Sequence, residues 1–156
     1  MRFISPTKGV MNWDEVVDDL LAYVVEEPEL TYKIIIGTDS QVREETHFVT
    51  AVVVHRVGKG ARYYYRRKVY ENIKSLRQRI FMEAATSLET ASKLAQDLAE
   101  KGHTELNLEI HLDIGQNGQT KEMIRDIVGM ITGSGFDAKI KPYSCGASTV
   151  ADKYTK

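Results

Sequence analysis

Two spacings of apolar residues alternate along this chain and predict both helices and strands. Apolar residues recur at helical spacing across residues 12–26, where Asn12 and Glu15 form the pattern of a capping box at the start of a helix. Segments rich in β-branched and aromatic residues follow, and we predict strands over residues 32–39, 47–57 and 61–70. Gly58-Lys59-Gly60 separates the second of these strands from the third, which indicates a hairpin.

The second half of the chain alternates predicted helices with predicted strands. A long helix is expected over residues 75–101, capped by Ser75 and ended by Gly102. We further predict a strand over residues 106–113, a helix over 120–132, a strand over 137–142 and a short helix over 147–154. Because strands joined through helices pair in parallel and hairpin strands pair antiparallel, the pattern predicts a single α/β domain over residues 1–156 with a mixed sheet.

Composition excludes several classes of protein. The 156 residues are 42% apolar and 28% charged, which is unlike a disordered or fibrous chain. The longest apolar run covers residues 20–25, far short of the ~18 residues that a membrane span needs, and no secretory signal pattern opens the chain. The single cysteine, Cys145, cannot form an intrachain disulfide. We therefore expect a cytoplasmic protein that does not insert into a membrane.

The net charge of −1 conceals a strong separation of charge along the chain. Residues 12–31 contain seven acidic residues and no lysine or arginine, whereas residues 56–79 contain nine basic residues and one acidic residue. The third predicted strand places basic and aromatic side chains on one face, a pattern that suits phosphate contact and base stacking. The residues that we predict to bind nucleic acid are Arg62, Tyr64, Arg66, Lys68, Tyr70, Lys74 and Arg77. An edge strand protected from aggregation by its charges is the alternative, and the charge separation is also compatible with a homo-oligomer.

Two aspartates end predicted strands. Asp39 lies in Gly37-Thr38-Asp39-Ser40 at the end of the first strand, and Asp113 ends the fourth. Ligand sites in open α/β sheets lie at the carboxyl ends of strands, so these carboxylates meet if the two strands are adjacent and parallel. Carboxylates that repel one another require a cation, and a divalent ion with oxygen ligands is the natural partner. A turn or helix-capping role for each aspartate taken alone is the alternative.

The long predicted helix and the end of the chain supply two more carboxylates. Glu83 lies about 90° from the centre of the helix's apolar stripe, at the border of the buried face, whereas Glu89 points toward solvent. A carboxylate at this border can reach over the sheet toward Asp39, although an ion pair with Arg79 is an alternative partner for Glu83. Asp152, in the predicted terminal helix, is the fourth candidate.

The order of these four carboxylates resembles the pattern of the ribonuclease H-like superfamily. Asp39, Glu83, Asp113 and Asp152 fall on the first strand, the first long helix, the end of the fourth strand and the final helix. More closely, Ile36-Gly37-Thr38-Asp39-Ser40-Gln41 and Ser5-Pro6-Thr7-Lys8-Gly9 resemble the YkuK-type family of predicted bacterial nucleases. The resemblance implies an α/β fold with a mixed five-stranded sheet of order 3-2-1-4-5, strand 2 antiparallel, flanked by helices.

The same resemblance implies a metal-dependent nuclease that acts on RNA, DNA or a hybrid. Two divalent ions, Mg²⁺ or Mn²⁺, would bind these carboxylates, with Asp39 bridging both, Glu83 and Asp113 beside one, and Asp152 beside the other. The histidine that ribonuclease H enzymes carry before the last helix has no counterpart, since no histidine follows His111. A non-catalytic nucleic-acid-binding or assembly module with the same fold is the alternative function.

Overall fold

The computed structural model describes residues 1–116, 118–144, 151, 154 and 155. It contains a short 3-10 turn, Lys121–Met123, which leads directly into the helix Ile124–Gly133. The strands and helices in chain order are β1 Arg2–Ser5, β2 Gly9–Asn12, α1 Trp13–Glu26, β3 Tyr32–Val42, β4 Thr46–Arg56, β5 Gly60–Tyr70, α2 Leu76–Glu100, β6 Asn107–His111, α3 Ile124–Gly133 and β7 Asp137–Lys139. The predicted terminal helix over residues 147–154 falls largely outside the described residues.

The strands of the described residues form one mixed sheet in the order β2-β1-β5-β4-β3-β6-β7. β4 is antiparallel to both β3 and β5, whereas β6 is parallel to both β3 and β7. The predicted number of five strands is wrong, and so is the predicted order as a description of the complete sheet. Residues 2–12 form an unpredicted hairpin, and its first strand pairs beside β5. The five predicted strands are consecutive neighbours within the larger sheet, and predicted strand 2 is antiparallel to its neighbours as expected.

Helix α1 begins at its predicted capping box. The side chain of Asn12 accepts a hydrogen bond from the Glu15 backbone N–H, and the Glu15 carboxylate accepts one from the Asn12 backbone N–H. These two bonds satisfy backbone donors that a helix start otherwise leaves unpaired. Val16 and Leu20 on the apolar face of the helix are fully buried against the sheet.

The two faces of the sheet are covered differently. Ile34 and Ile36 of β3 belong to a core that includes apolar residues of all three described helices. Ile35 points to the opposite face, because side chains alternate across a strand, and its core there includes Ala151 near the end of the chain. We call this opposite side the far face, meaning the face away from α1, α2 and α3; the helical residues Ala151 and Tyr154 pack against part of it. In the described part of the chain no helix is long and apolar enough to cross a membrane.

Candidate active site

The register of the central strands brings Asp39 and Asp113 to one edge of the sheet. β3 and β6 are parallel neighbours, and Gly37 of β3 pairs with His111 of β6. Asp39 and Asp113 each lie two residues beyond this pair, toward the carboxyl ends of their strands. The adjacency and direction predicted for these two strands are therefore confirmed.

Glu83 of α2 faces the same edge. Its side chain is buried and accepts a 2.5 Å hydrogen bond from the hydroxyl of Ser40, the residue after Asp39. Burial raises the pKa of Glu83 to about 8, and the charges of Asp39 and Asp113 act in the same direction. The hydrogen bond from Ser40 and the charge of Arg79 oppose this rise but do not cancel it. The three carboxylates therefore interact electrostatically, as expected if they form one site.

A buried network of hydroxyl groups fixes α2 against the sheet beside Glu83. Thr38 of β3 is hydrogen-bonded at 2.8 Å to Ser87, one helical turn after Glu83, and at 3.1 Å to Thr50 of β4. All three hydroxyl-bearing residues are at least nine-tenths buried. Because buried polar groups are costly to separate from their partners, this network holds the position of Glu83 relative to β3.

Lys141 is a cation at this site that the sequence pattern does not identify. Its ammonium nitrogen lies 2.8 Å from Asp113 Oδ1. Its hydrogen bond to Asp113 and the charge of Asp113 raise the pKa of Lys141, and the charge of Asp39 adds to this effect. The backbone N–H of Lys141 donates to the carbonyl of Ile114 at 2.9 Å, which extends the pairing beyond β6 and β7. Gly115 leaves room for the Lys141 side chain, since a Cβ atom there would lie 3.2 Å from Lys141 Cβ.

Residues near the end of the chain also reach the site. Asp39 is half-buried, and its Oδ2 atom accepts a 3.4 Å hydrogen bond from the hydroxyl of Thr155. The guanidinium group of Arg43 donates to the backbone carbonyl of Thr155. Asp152, the fourth predicted carboxylate, lies outside the described residues.

Comparison with known proteins identifies the family of the chain. The model of the family described as ribonuclease H-like matches residues 15–156. The chain belongs to the ribonuclease H-like family. It is similar to the uncharacterized protein YkuK of Bacillus subtilis (strain 168), with 38% identity over 167 aligned positions that cover 99% of this chain and 96% of the relative. No solved structure gives a significant match.

In this ribonuclease H-like chain, Asp39, Glu83 and Asp113 offer the oxygen ligands that hard divalent cations bind. Carboxylate oxygens are the ligands that Mg²⁺ and Mn²⁺ prefer, and the raised pKa of Glu83 shows that burial and repulsion are not fully compensated by the cations nearby. Within the described residues, however, no three acidic, histidine or cysteine side chains converge closely enough to hold a metal ion. The three carboxylates therefore have the ligand type and the charge that suit a divalent cation, and Lys141 forms an ion pair with one of them, Asp113.

Two residues of the predicted nucleic-acid surface contact α1, and the assignment is wrong for Tyr64, which the helix covers. Tyr64 is fully buried, and its hydroxyl donates to Asp19 of α1. The guanidinium group of Arg62 lies 3.3 Å from the same carboxylate and stacks over the Tyr23 ring at 4.6 Å. Tyr64 therefore offers no surface to a base, whereas Arg62 remains about one-third exposed while paired with Asp19.

The other predicted nucleic-acid residues remain accessible. Lys68, Lys74 and Arg77 are exposed and Arg66 is half-buried, and we call these four residues the basic strip. Tyr70 is half-buried with its ring edge-to-face against Phe48 at 5.3 Å. Phe48 pairs with both Ser40 and Lys68, so Lys68 lies two strands from Ser40, which corresponds to about 10 Å. The basic strip and the carboxylates therefore share one end of the sheet.

Proposed function

We propose that this ribonuclease H-like protein is a nuclease that hydrolyses phosphodiester bonds of nucleic acid with Mg²⁺ or Mn²⁺, two ions being engaged with substrate. The observation that carries the proposal is the electrostatic coupling of Glu83 to Asp39 and Asp113 at the ends of β3 and β6. Membership of the ribonuclease H-like family supports it. Two neighbouring carboxylates oppose the ionisation of the buried Glu83. Such a group at the carboxyl ends of strands is typical of a functional site, and a bound cation would relieve the repulsion.

Each carboxylate would have a role set by its position. Asp39, Glu83 and Asp113 would hold the ions, and Asp152 is proposed as a further ligand. Bound divalent ions supply an activated water and stabilise the leaving oxygen in phosphodiester hydrolysis. Ser40 orients the Glu83 carboxylate through its hydrogen bond, and the Thr38–Ser87 contact keeps α2 at a fixed distance from β3. Metal sites depend on hydrogen bonds of this kind, which hold the ligand side chains in position.

The basic strip gives the substrate a path to the carboxylates. Lys68 of β5, Lys74 after that strand and Arg77 in the first turn of α2 lie at the same end of the sheet as Asp39. Phosphate groups bind such cations without regard to sequence, and this holds the backbone near the reacting atoms. We propose that a strand of nucleic acid crosses this end of the sheet, over β5, β4 and β3, toward Asp113.

One contact favours a second candidate function, a non-catalytic nucleic-acid-binding module. Lys141 already neutralises Asp113, so the fold provides this carboxylate with a cation of its own. A protein without catalysis could retain the fold through such internal charge pairing, with the basic strip still available to bind nucleic acid. The two candidates differ in whether divalent ions are required.

Cleavage of labelled oligonucleotides tests the proposal. Single-stranded, duplex, hybrid and branched substrates are incubated with Mn²⁺ or Mg²⁺ and with the wild type, Asp39→Asn or the control Asp137→Asn. Asp137 is an exposed aspartate at the start of β7, away from the carboxylate edge. We expect metal-dependent cleavage that Asp39→Asn abolishes and Asp137→Asn retains. Cleavage unaffected by Asp39→Asn would reject the site, and binding without cleavage by any protein would favour the non-catalytic module.

A further inference from the structure

The far face of the sheet carries a cavity that the proposed chemistry does not use. It has a volume of about 610 Å³ and is lined by β3, β4, β6, β7 and the turn that follows β7. Its size falls within the roughly 300–1,000 Å³ that is typical of sites for small ligands. We call this cavity the cleft.

Three charged or titratable side chains, Glu109, His111 and Lys33, contact one another at the floor of the cleft. Glu109 and His111 are both 5% exposed, and the imidazole N–H of His111 donates to Glu109 Oε1 at 3.2 Å. The ammonium group of Lys33 lies 3.6 Å from the other carboxylate oxygen. Ile35 lies beside them and contributes apolar surface. His55 also lines the cleft, whose apolar lining is Ile35, Ala138 and Ile140. Polar groups that converge beside such apolar surface are typical of a site that orients a ligand.

The rim of the cleft adds a cation and an aromatic ring. Lys139 is exposed, and among the described residues it forms no ion pair. Tyr143 is 75% exposed, although its backbone N–H is held by the carbonyl of Ile140 at 2.8 Å in the turn after β7. Lys33 is engaged with Glu109, so Lys139 supplies the net positive charge of the cleft. An available cation beside an exposed aromatic ring suits a phosphate attached to a planar base.

The cleft lies directly beside the candidate active site. His111 precedes Asp113 by two residues, and Lys139 precedes Lys141, the partner of Asp113, by two residues. Two residues of extended strand span about 7 Å, which is comparable to the distance between neighbouring phosphates in an extended nucleic-acid strand. A strand held at the carboxylates would therefore bring its next nucleotide to the mouth of the cleft.

We propose that the cleft binds one unpaired nucleotide of the substrate, next to the scissile phosphate, and so selects single-stranded nucleic acid. Lys139 contacts the phosphate, Tyr143 stacks on the base, and Glu109 and His111 meet the polar edge of the base or sugar. A base that is paired in a duplex cannot enter, because its edge and both of its faces are occupied by the duplex. This proposal rests on the proposed nuclease function for the placement of the scissile phosphate.

Metal-free binding tests the cleft separately from catalysis. The wild-type protein in a chelator is titrated into a fluorescent single-stranded octanucleotide, its duplex and a nucleoside monophosphate, with anisotropy or competition as the readout. Tyr143→Ala and Lys139→Ala are compared with Lys121→Ala, an exposed lysine before α3 that lies outside the cleft. We expect the single strand to bind more tightly than the duplex, and each cleft variant to weaken it about fivefold or more.

Photo-crosslinking locates the base. An oligonucleotide with 5-iodouracil at one position should attach to Tyr143, and the adduct is mapped by mass spectrometry. Equal binding by the cleft variants and the control, or a nucleoside monophosphate that binds as tightly as the octanucleotide, would overturn the proposal. Asp39-dependent cleavage with unchanged binding by Tyr143→Ala and Lys139→Ala would reject the cleft and leave the nuclease. A Tyr143 adduct without any cleavage would support nucleotide binding in the cleft but reject the nuclease and, with it, the placement beside a scissile phosphate.

Discussion

Lys141 donates a hydrogen bond to Asp113 across 2.8 Å, and the charge of Asp39 acts on the same ammonium group. A fixed cation thus contacts one of the carboxylates that we propose as metal ligands and is influenced by the charge of a second. The pairing of backbone groups between residues 112–114 and 139–141 places it there. Any divalent ion that binds Asp113 must displace this ammonium group or share the carboxylate with it.

Replacing Lys141 should therefore strengthen metal binding. We expect Lys141→Met to lower the dissociation constant for Mn²⁺ a few-fold, because the ion pair it removes is half-exposed and such pairs contribute about 0.2–1 kcal/mol. Mn²⁺ affinity is measured by electron paramagnetic resonance of the free ion. Lys139→Met, which removes the same charge two residues earlier, is the control and should leave the affinity close to that of the wild type. Weaker binding by Lys141→Met would show that this lysine supports the metal site.

The raised pKa of Glu83 predicts the pH dependence of stability without metal. Between its ordinary pKa of 4.5 and the folded value of about 8, the folded protein holds a proton that the unfolded chain releases. Stability contributed by this proton is complete below the unfolded pKa and is lost as pH rises through the folded pKa. Glu83→Gln keeps an acceptor for Ser40 and removes the charge, so we expect it to match the wild type at pH ~5 and to exceed its melting temperature at pH ~8.5.

Calorimetry in a chelator gives this comparison directly. Glu89→Gln is the matched control, because Glu89 lies on the same helix with its side chain exposed to solvent. Its melting temperature should differ from that of the wild type by the same amount at both pH values. A wild-type protein that gains stability relative to Glu83→Gln as pH rises would contradict the account.

Asp19 anchors the acidic helix α1 to the start of β5. Burial alone would raise its pKa, but hydrogen bonds from Lys8 and Tyr64 and the charge of Arg62 lower it overall. Stability from a lowered pKa is present above the unfolded value and is lost as pH falls through the folded one. Asp19→Asn should therefore cost about 1–3 kcal/mol at pH ~7 and progressively less in acid.

Urea unfolding at neutral and acidic pH measures this difference. Asp18→Asn is the control, since Asp18 is the neighbouring aspartate, is largely exposed and pairs only with Lys101 at 3.4 Å among the described residues. It should change the free energy of unfolding by less than about 1 kcal/mol. A cost of Asp19→Asn that grows in acid would show that its carboxylate is not the stabilising group.

The basic strip predicts a salt dependence of nucleic-acid binding. Lys68→Ala combined with Lys74→Ala removes two exposed cations near the carboxylates. We expect weaker binding of single strands at every sequence, and a slope of log affinity against log salt that is shallower by about 0.7 for each phosphate that is no longer neutralised. Lys59→Ala, in the exposed turn between β4 and β5 at the other end of the sheet, should leave the slope unchanged. An unchanged slope in the double variant would place the nucleic acid elsewhere.

Local patterns predict the parts of this fold that depend on neighbouring residues. The capping box of Asn12 and Glu15, and the cap of α2 at Ser75, are local hydrogen-bond patterns, and both are evident from the sequence. Two hairpins make β5 run in the same direction as β3, and the helix α2 that joins β5 to β6 keeps that direction, so β3 and β6 are expected to be parallel. The border position of Glu83 follows from helical spacing, which is why its approach to the end of β3 could be anticipated.

Contacts between distant segments are not accessible in this way. Alternation along β5 shows which side chains share a face, but not that α1 covers Tyr64 and engages Arg62 through Asp19. The hairpin of residues 2–12 escapes prediction because its two strands are only four residues each. Lys141 meets Asp113 only because β7 pairs beside β6, and neither residue signals this contact by its own sequence.

The claim that Asp39, Glu83 and Asp113 form one cation site is tested most directly by calorimetric titration with Mn²⁺. The wild type is compared with Asp39→Asn, and Asp137→Asn is the control for removal of a surface charge. The account predicts that the wild type and Asp137→Asn bind Mn²⁺ alike, and that Asp39→Asn binds about tenfold or more weakly. Equal affinity in the wild type and Asp39→Asn would contradict it.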